Sequence, residues 1–388
     1  MVSLSALLDP GFTQPASCLI EVGEDNADIG DIANLVTSVE LTTSRVEAAT
    51  GTILIEDRRK EDGQWIATDS GLFTRWAPIR VSADFQTHTE EIFRGFITLP
   101  KPTYPNSGGD ATLELAVQDE SAALDREQMR TIWGEEAPMS DLDILTELIS
   151  PLGLAADGGS GQGQSSRSLS HDATPIVFLR ERANANGYDL IFSEGQVYFG
   201  PKRLEGEAQA PILVYAGRDT SCLSLEINDD GQRPDAVRFD HAPQEEGAET
   251  TTETVTPDVP PLGTTPVADE GARLGTPSVW RVSKEGDETE EELRARAQAL
   301  VNENSFRIRA IGELDGSLYG HVLKVGRTVS IDGTGGRYGG VYFVDKVVHT
   351  FLPEGYRQQF ELMRNATGET DGPIGALSAA SSAISAVF

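Results

Sequence analysis

Five histidines, His88, His171, His241, His321 and His349, and two cysteines, Cys18 and Cys222, are the residues of this 388-residue chain best suited to bind a metal or attack a substrate. Their spacing argues against both roles. No two histidines stand at i and i+4, no HExxH occurs, and neither cysteine neighbours a histidine, so the close-set ligands of most metal sites are missing. Each cysteine opens a strand-like run, Cys-Leu-Ile-Glu-Val at Cys18 and Cys-Leu-Ser-Leu-Glu-Ile at Cys222, which predicts buried free thiols in a reducing compartment. His349, between Val347 and Phe351 on an alternating run, reads as a packing residue.

Other chemistry is equally hard to place. No GxSxG elbow is present. Gly333-Thr-Gly-Gly-Arg-Tyr-Gly-Gly340 lacks the Lys-Ser/Thr of a phosphate loop and is flanked by strand-like runs, so it reads as a hairpin turn. Carboxylates are too numerous for sequence proximity to single out an acid/base pair. Asn365-Ala-Thr367 matches a glycosylation sequon but follows no export signal. Trp65, Trp76 and Trp133 could stack on sugar rings, although core or interface packing accounts for such residues more simply. No catalytic, cofactor-binding or metal-ligating residue is assigned, and no cofactor is expected.

Composition limits the partners. Asp and Glu number 62 against 31 Lys and Arg, a formal charge of −31, which opposes nucleic-acid binding through phosphate neutralisation. Solubility is the simplest role for that acidity. No run approaches the roughly 18 apolar residues of a membrane span, and Asp9-Pro10 interrupts the only signal-like stretch, Leu4 to Leu8. Neither membrane insertion nor export by a standard signal is expected.

The elements that would position any site are mostly strands. Residues 1–118 read as a β domain with strands at Ser17 to Gly23, Val36 to Thr42, Thr52 to Asp57, Pro78 to Phe85, Glu91 to Leu99 and Ala111 to Gln118. Residues 119–205 read as a small α+β domain. It holds helices at Glu120 to Met129, Met139 to Ile149 and from Pro175 to a terminator at Asn186-Gly187, with Ser140 and Thr174 as caps, a flexible Gly/Ser loop from Asp157, and a hairpin around Ser193-Glu194-Gly195. Residues 206–367 read as a second β domain with one helix, Glu288 to Asn302, whose acidic first turn suits the helix dipole. Within it, 243–277 is predicted to be an acidic flexible insert. Residues 368–388 form a tail of small residues. In the ribbon from Val341 to Met363, Tyr356, Gln358, Phe360 and Leu362 alternate with Arg357, Gln359 and Glu361, as in a half-buried antiparallel strand.

The helix with Arg294-Ala-Arg-Ala, the Gly326-Arg327, Val329, Ile331, Gly333 run, the ribbon, and Arg364-Asn365-Ala366 together resemble the late control protein D family of contractile phage tails. Phe178-Leu-Arg-Glu-Arg-Ala-Asn-Ala-Asn-Gly-Tyr-Asp-Leu-Ile-Phe, followed by Val197-Tyr-Phe-Gly-Pro, looks like that family's helix and hairpin between two β domains. The family comprises central baseplate hubs similar to the N-terminal part of type VI secretion VgrG spikes. The resemblance implies a mainly β fold with α+β, two barrel-like tube domains separated by a small α+β domain. It also implies a homotrimer that adapts a hexameric tail tube to a trimeric membrane-puncturing spike among other baseplate proteins. Such a protein is assembled in the host cytoplasm, resides in the virion tail baseplate and is not an enzyme. An acidic lumen would pass DNA without specific binding. The ribbon would then pair with neighbouring copies, and Phe360→Asp would abolish assembly. Two other readings stay open: a tail-associated peptidoglycan hydrolase and a module binding host-surface carbohydrate.

Overall fold

Most of the chain alternates apolar and polar residues, and such segments form strands with one face inward. The computed structural model describes residues 15–106, 110–165, 168–241, 251–270, 274–286 and 288–369. The predicted signal-like stretch and all but Gly368 and Glu369 of the predicted tail lie outside these residues. The fold is mainly β with a few helices, as the sequence suggests.

The first strand-rich half comprises β1 (Ser17–Val22), β2 (Val36–Ser44), β3 (Thr50–Asp57), β4 (Pro78–Asp84), β5 (Thr89–Thr103) and β6 (Ala111–Asp119). Leu113, Leu115 and Val117 of β6 point into its core beside Val39, Leu41, Ile53 and Ile55. The middle segment holds β7 (Met129–Trp133), α1 (Asp141–Ile149), β8 (Leu169–Ala173), α2 (Pro175–Asn186), β9 (Asp189–Ser193) and β10 (Gln196–Gly200) around a separate core. The second half comprises β11 (Gln209–Leu213), β12 (Cys222–Asp229), β13 (Ala236–Asp240), β14 (Thr252–Val255), α3 (Val267–Glu270), β15 (Val279–Arg281), α4 (Glu290–Ser305), β16 (Ile308–Asp315), α5 (Gly316–Tyr319), β17 (Thr328–Asp332), β18 (Gly340–Leu352) and β19 (Gly355–Arg364).

The two halves repeat one topology. Their strands lie side by side in the order β1-β4-β5-β6-β3-β2 in the first half and β11-β17-β18-β19-β16-β12 in the second. Written by position within each half, both orders are first, fourth, fifth, sixth, third, second. One difference stands out: β1 pairs antiparallel with β4, whereas β11 pairs parallel with β17. Irregularities recur at matching places. The fifth and sixth strands slip in register between Ile97 and Leu99 and between Val344 and Lys346. The second and third slip between Val36 and Ser38 and between Cys222 and Ser224. Conserved placement of bulges within a fold marks built features rather than defects.

A single sheet unites the halves. β18 is long enough to pair with β17 at its start and with β2 further on, from Lys346 opposite Ser44 to Phe351 opposite Val39. The ribbon of β18 and β19 thus pairs within the chain rather than with neighbouring copies. β19 lies between β16 and β18. Phe360 is 1% exposed and packs in the second core, so Phe360→Asp would destroy that core before it touched assembly.

Several local expectations change. Glu120 to Met129 is not a helix but a short 3-10 turn, Glu120–Asp125, followed by β7. The Asp119 carboxylate, as the N-cap of that turn, accepts the Ser121 amide and hydroxyl together with the Ala49 amide and ties its start to the loop after β2. Ser140 caps α1 as predicted, with a capping box to Asp143. The Thr174 hydroxyl instead donates to Asp125 at 2.7 Å and leaves Pro175 to start α2. Gly187, at φ +66°, ends α2. The Gly/Ser loop is anchored: the Asp141 amide donates to Gln164 O and the Gly161 amide to Phe199 O.

The acidic insert is also structured wherever it is described. β14 pairs with β13, and Thr265–Pro266 pairs with Ala366–Thr367. Residues 242–250 and 271–273 lie outside the described residues. The stretch lacks a large apolar content of its own, and its backbone at Pro260 and Leu262 is held by two buried polar side chains. Asn365 accepts the Leu262 amide at 2.8 Å and donates to Pro260 O at 2.9 Å. Its side chain is therefore occupied and its residue is 6% exposed, which closes the sequon to a glycan in the folded chain. Arg364 is 0% exposed and donates to Leu262 O, Gly339 O and Gly368 O. It ties the insert, the Gly333–Gly340 turn and the end of the described chain together without a carboxylate partner in that set. Arg364→Leu strands three carbonyls, and we expect a loss of about 3 kcal/mol or more, measured by urea unfolding. A loss below about 1 kcal/mol would refute this assignment.

Candidate functional site at the junction of the units

The bend out of β2, the start of β9, the end of α4 and the bulge in β18 bring charged residues from all three parts of the chain to one place. Arg45, 9% exposed, reaches Asp189 at 3.0 Å, Glu303 at 2.8 Å and Asp345 at 2.7 Å. Lys202 adds a 2.6 Å contact to Glu303, and Arg309 a 2.7 Å contact to Asp345. Three cations thus face three anions. Burial alone would weaken the Arg45 charge, but the surrounding carboxylates more than offset it and hold the guanidinium above its ordinary pKa. Burial likewise opposes the Glu303 charge, yet Lys202 and Arg45 hold its carboxyl down to about 2.

A cavity of about 100 Å³ lies beside this cluster, lined from all three parts by Glu91, Arg94, Glu120, Arg180, Glu194 and Lys324 among others. Glu120 is a carboxyl there with a strongly raised proton affinity. Burial pushes its carboxyl up to about 7, and Glu91 and Asp119 add to the rise while Arg94 opposes it. An acid in that range can give and take a proton at neutral pH. The space around it has room for only a few waters, well short of the ~300 Å³ lower end of small-molecule sites. Its chemistry is that of a titrating joint rather than of a catalytic pocket. A wider groove of about 780 Å³ runs between β13 and the Pro257–Pro261 stretch, lined by prolines and by Asp235, which is engaged by Arg307.

The residues singled out in the sequence are mostly placed elsewhere. His349 is 1% exposed with Nδ1 2.8 Å from the Tyr356 hydroxyl, and burial takes its imidazole down to about 3, so it is neutral packing as expected. His171 is fully buried against Trp133, whose indole N–H donates to Nδ1 at 3.1 Å. His241 bridges Glu253 and Glu290. His88 and His321 meet across the two halves at Glu90, a pairing that spacing along the chain does not reveal. Both cysteines are free thiols, and burial pushes Cys18 up to about 12 and Cys222 up to about 11, far from a thiolate nucleophile at neutral pH. Trp133 is core, Trp65 lies against Tyr104, and Trp76 is 43% exposed under the Arg126 guanidinium at 4.2 Å. The three tryptophans form no common platform.

Arg45→Met removes the cation shared by three carboxylates, one of them on the buried Asp189, and we expect a loss of about 3–5 kcal/mol in urea unfolding. Glu303 ordinarily titrates at 4.5 and is held at about 2, so its stabilisation is complete above pH 4.5 and is lost as pH falls towards 2. Glu303→Gln should flatten the fall of the thermal midpoint across that window. Glu120 has the opposite sign: its ordinary value of 4.5 rises to about 7, so its contribution is lost as pH rises through that window. Glu120→Gln should raise the midpoint at pH 8 relative to the natural chain and leave it nearly unchanged at pH 4; equal effects at both would refute the assignment.

The solved structures most informative about the fold are tail proteins. The MuSo2 prophage 43 kDa tail protein from Shewanella oneidensis superposes with a TM-score of 0.66 at 12% identity, covering 91% of this chain and 99% of that one. A tail protein from Neisseria meningitidis MC58 gives 0.63 at 12% identity, covering 91% and 97%. A chain of the Francisella PdpA–VgrG complex gives 0.54 at 9% identity, covering 95% of this chain and 61% of that one. At these identities the likeness concerns the fold. No curated protein matches the sequence significantly. A family model does match, over residues 20–352, and by that match the chain belongs to the family described as the Alg8 N-terminal domain.

Proposed function

We propose that this chain is a structural baseplate hub of a contractile phage tail or related injection system, a homotrimer of the late control protein D kind that adapts a hexameric tail tube to a trimeric spike. The observation that carries this reading is the internal repeat together with its one internal joint. Inside the chain, the fifth strand of the second half, β18, continues past its own neighbour and pairs with the second strand of the first half, β2. The corresponding strands of the other pairing are β5 and β12. Past Ile97, β5 carries Leu99, 53% exposed, and continues towards Tyr104, 52% exposed; β12 is the last strand at its end of the sheet and carries Leu223, 51% exposed.

Repeating the internal joint between copies would set β5 of one chain beside β12 of the next. Matching the bulges aligns Leu99 with Lys346 and Ser224 with Ser38, so Leu99 would face Asp230 and Tyr104 would face Leu225. Such head-to-tail contacts close into a ring when the rotation permits, and three chains would present six similar units. Pro100 and Pro102 cannot donate to that joint, which leaves its backbone donors mainly to β12 and discourages pairing with unrelated edges. The tail-protein fold supports the same role, as does the size of the cavity around Glu120, which favours a scaffold over a hydrolase. The acidic charge suits a lumen through which DNA passes without adhering.

The test is solution mass, alone and with tube and spike proteins. We expect a trimer, lost in Leu99→Glu and Leu223→Glu while the circular dichroism and thermal midpoint of the monomer are retained. A natural chain that stays monomeric with both partners present would overturn the reading, and a clear lytic band on peptidoglycan would favour the hydrolase.

A further inference from the structure

His88 and Glu90 sit two residues apart at the turn into β5, so both side chains leave the same side of the strand. His321 follows Gly320, whose φ of +71° ends α5 and reverses the chain towards that turn. The Glu90 oxygen Oε1 consequently lies 3.2 Å from His88 Nε2 and 2.8 Å from His321 Nδ1, joining positions 231 residues apart. All three candidate donor atoms lie within 4.8 Å of one another.

We propose that His88, Glu90 and His321 form a binding site for one divalent transition-metal ion of the zinc class, which clamps the first strand-rich half to the second. Ligand atoms about 2.0–2.1 Å from a tetrahedral ion stand roughly 3.3 Å from each other, close to the two separations that the Glu90 oxygen already makes with the rings. Drawing the two imidazole nitrogens, which lie within 4.8 Å of each other, to that separation would seat the ion.

The donors are held for this role from behind. Glu90 Oε2 accepts the Val322 amide at 2.8 Å, which leaves Oε1 aimed between the rings. The Thr87 hydroxyl lies 2.9 Å from His88 Nδ1 and can accept the Nδ1–H hydrogen bond, the tautomer that presents the Nε2 lone pair. Phe85 stacks on the His88 ring at 5.0 Å, and Tyr319 stands edge-on to His321 at 6.1 Å. The buried Gln358 fixes the His321 carbonyl at 2.8 Å.

The side chains are 38%, 21% and 48% exposed in chain order, so water can fill the remaining positions. Two imidazoles and one carboxylate suit Zn²⁺, Co²⁺ or Ni²⁺, whereas Mg²⁺ and Ca²⁺ favour all-oxygen sites.

The experiment uses the full chain, stripped with chelator and dialysed, titrated with ZnCl₂ by calorimetry and followed by thermal unfolding. We expect one Zn²⁺ per chain with a micromolar or tighter Kd, a raised unfolding midpoint, and no comparable response to Mg²⁺. Co²⁺ should give the visible absorption of a low-coordinate site. The double variant His88→Asn/His321→Asn should fold, as judged by circular dichroism in chelator, and lose binding at least 100-fold. His241→Asn should bind as the natural chain does. Absence of Zn²⁺ binding at 100-fold molar excess, or binding kept by the double variant, would overturn the proposal.

Discussion

The burial of Arg45 is the constraint on which the arrangement of the three parts depends. A guanidinium 9% exposed is tolerable only if its charge is matched, and the matching carboxylates come from the hairpin of the middle segment, the last turn of α4 and the bulge of β18. None of these carboxylates is placed correctly unless all three parts are docked. The Arg45 amide also donates to Asp345 O at 3.1 Å, so the ion cluster begins where the β2–β18 ladder ends. Backbone pairing and charge matching therefore specify the same geometry. The ladder contributes adhesion, and the ion cluster contributes a penalty for any other register.

The repeat explains why one chain carries two such similar sheets. Both halves place their strands in the same order and bulge at matching positions, yet their insertions differ. Between the second and third strands the first half needs only a short turn, whereas the second half carries β13, β14, β15 and α4. The insertion packs on its own small core of Val237, Phe239, Leu293, Ala297 and Val301. A shared framework with divergent loops keeps the edges of the two halves equivalent while their faces differ.

Much of this was legible in the residues. The six strands of the first half, α1 with its Ser140 cap, α2 with its Pro175 start and Gly187 stop, and the β18–β19 ribbon follow from period, caps and turns that act within a few residues. The misread segments share a cause. Glu120 to Met129 has helical spacing, but the chain from Met129 is taken into β7, which pairs with β8. Residues 251–270 are poor in large apolar groups, and their order comes from pairing with β13, from the buried Val255, Leu262 and Val267, and from Arg364 and Asn365, about a hundred positions away. The Gly/Ser loop looks mobile by composition and is pinned by amides at the start of α1. Each is decided by a partner outside the segment itself.

By itself the sequence determined the class of fold, the positions of most elements, and the lack of close-set motifs for nucleophilic or metal chemistry, because those properties are carried by neighbours along the chain. Tertiary structure decided the rest. Only folding fuses the halves into one sheet, leaves β5 and β12 as the strands corresponding to β18 and β2, raises the Glu120 carboxyl, and brings His321 to His88 and Glu90. The physical reason is range. Periodicity and capping act over a few residues, whereas desolvation, charge matching and convergence of ligand atoms depend on groups that meet only when distant strands are paired.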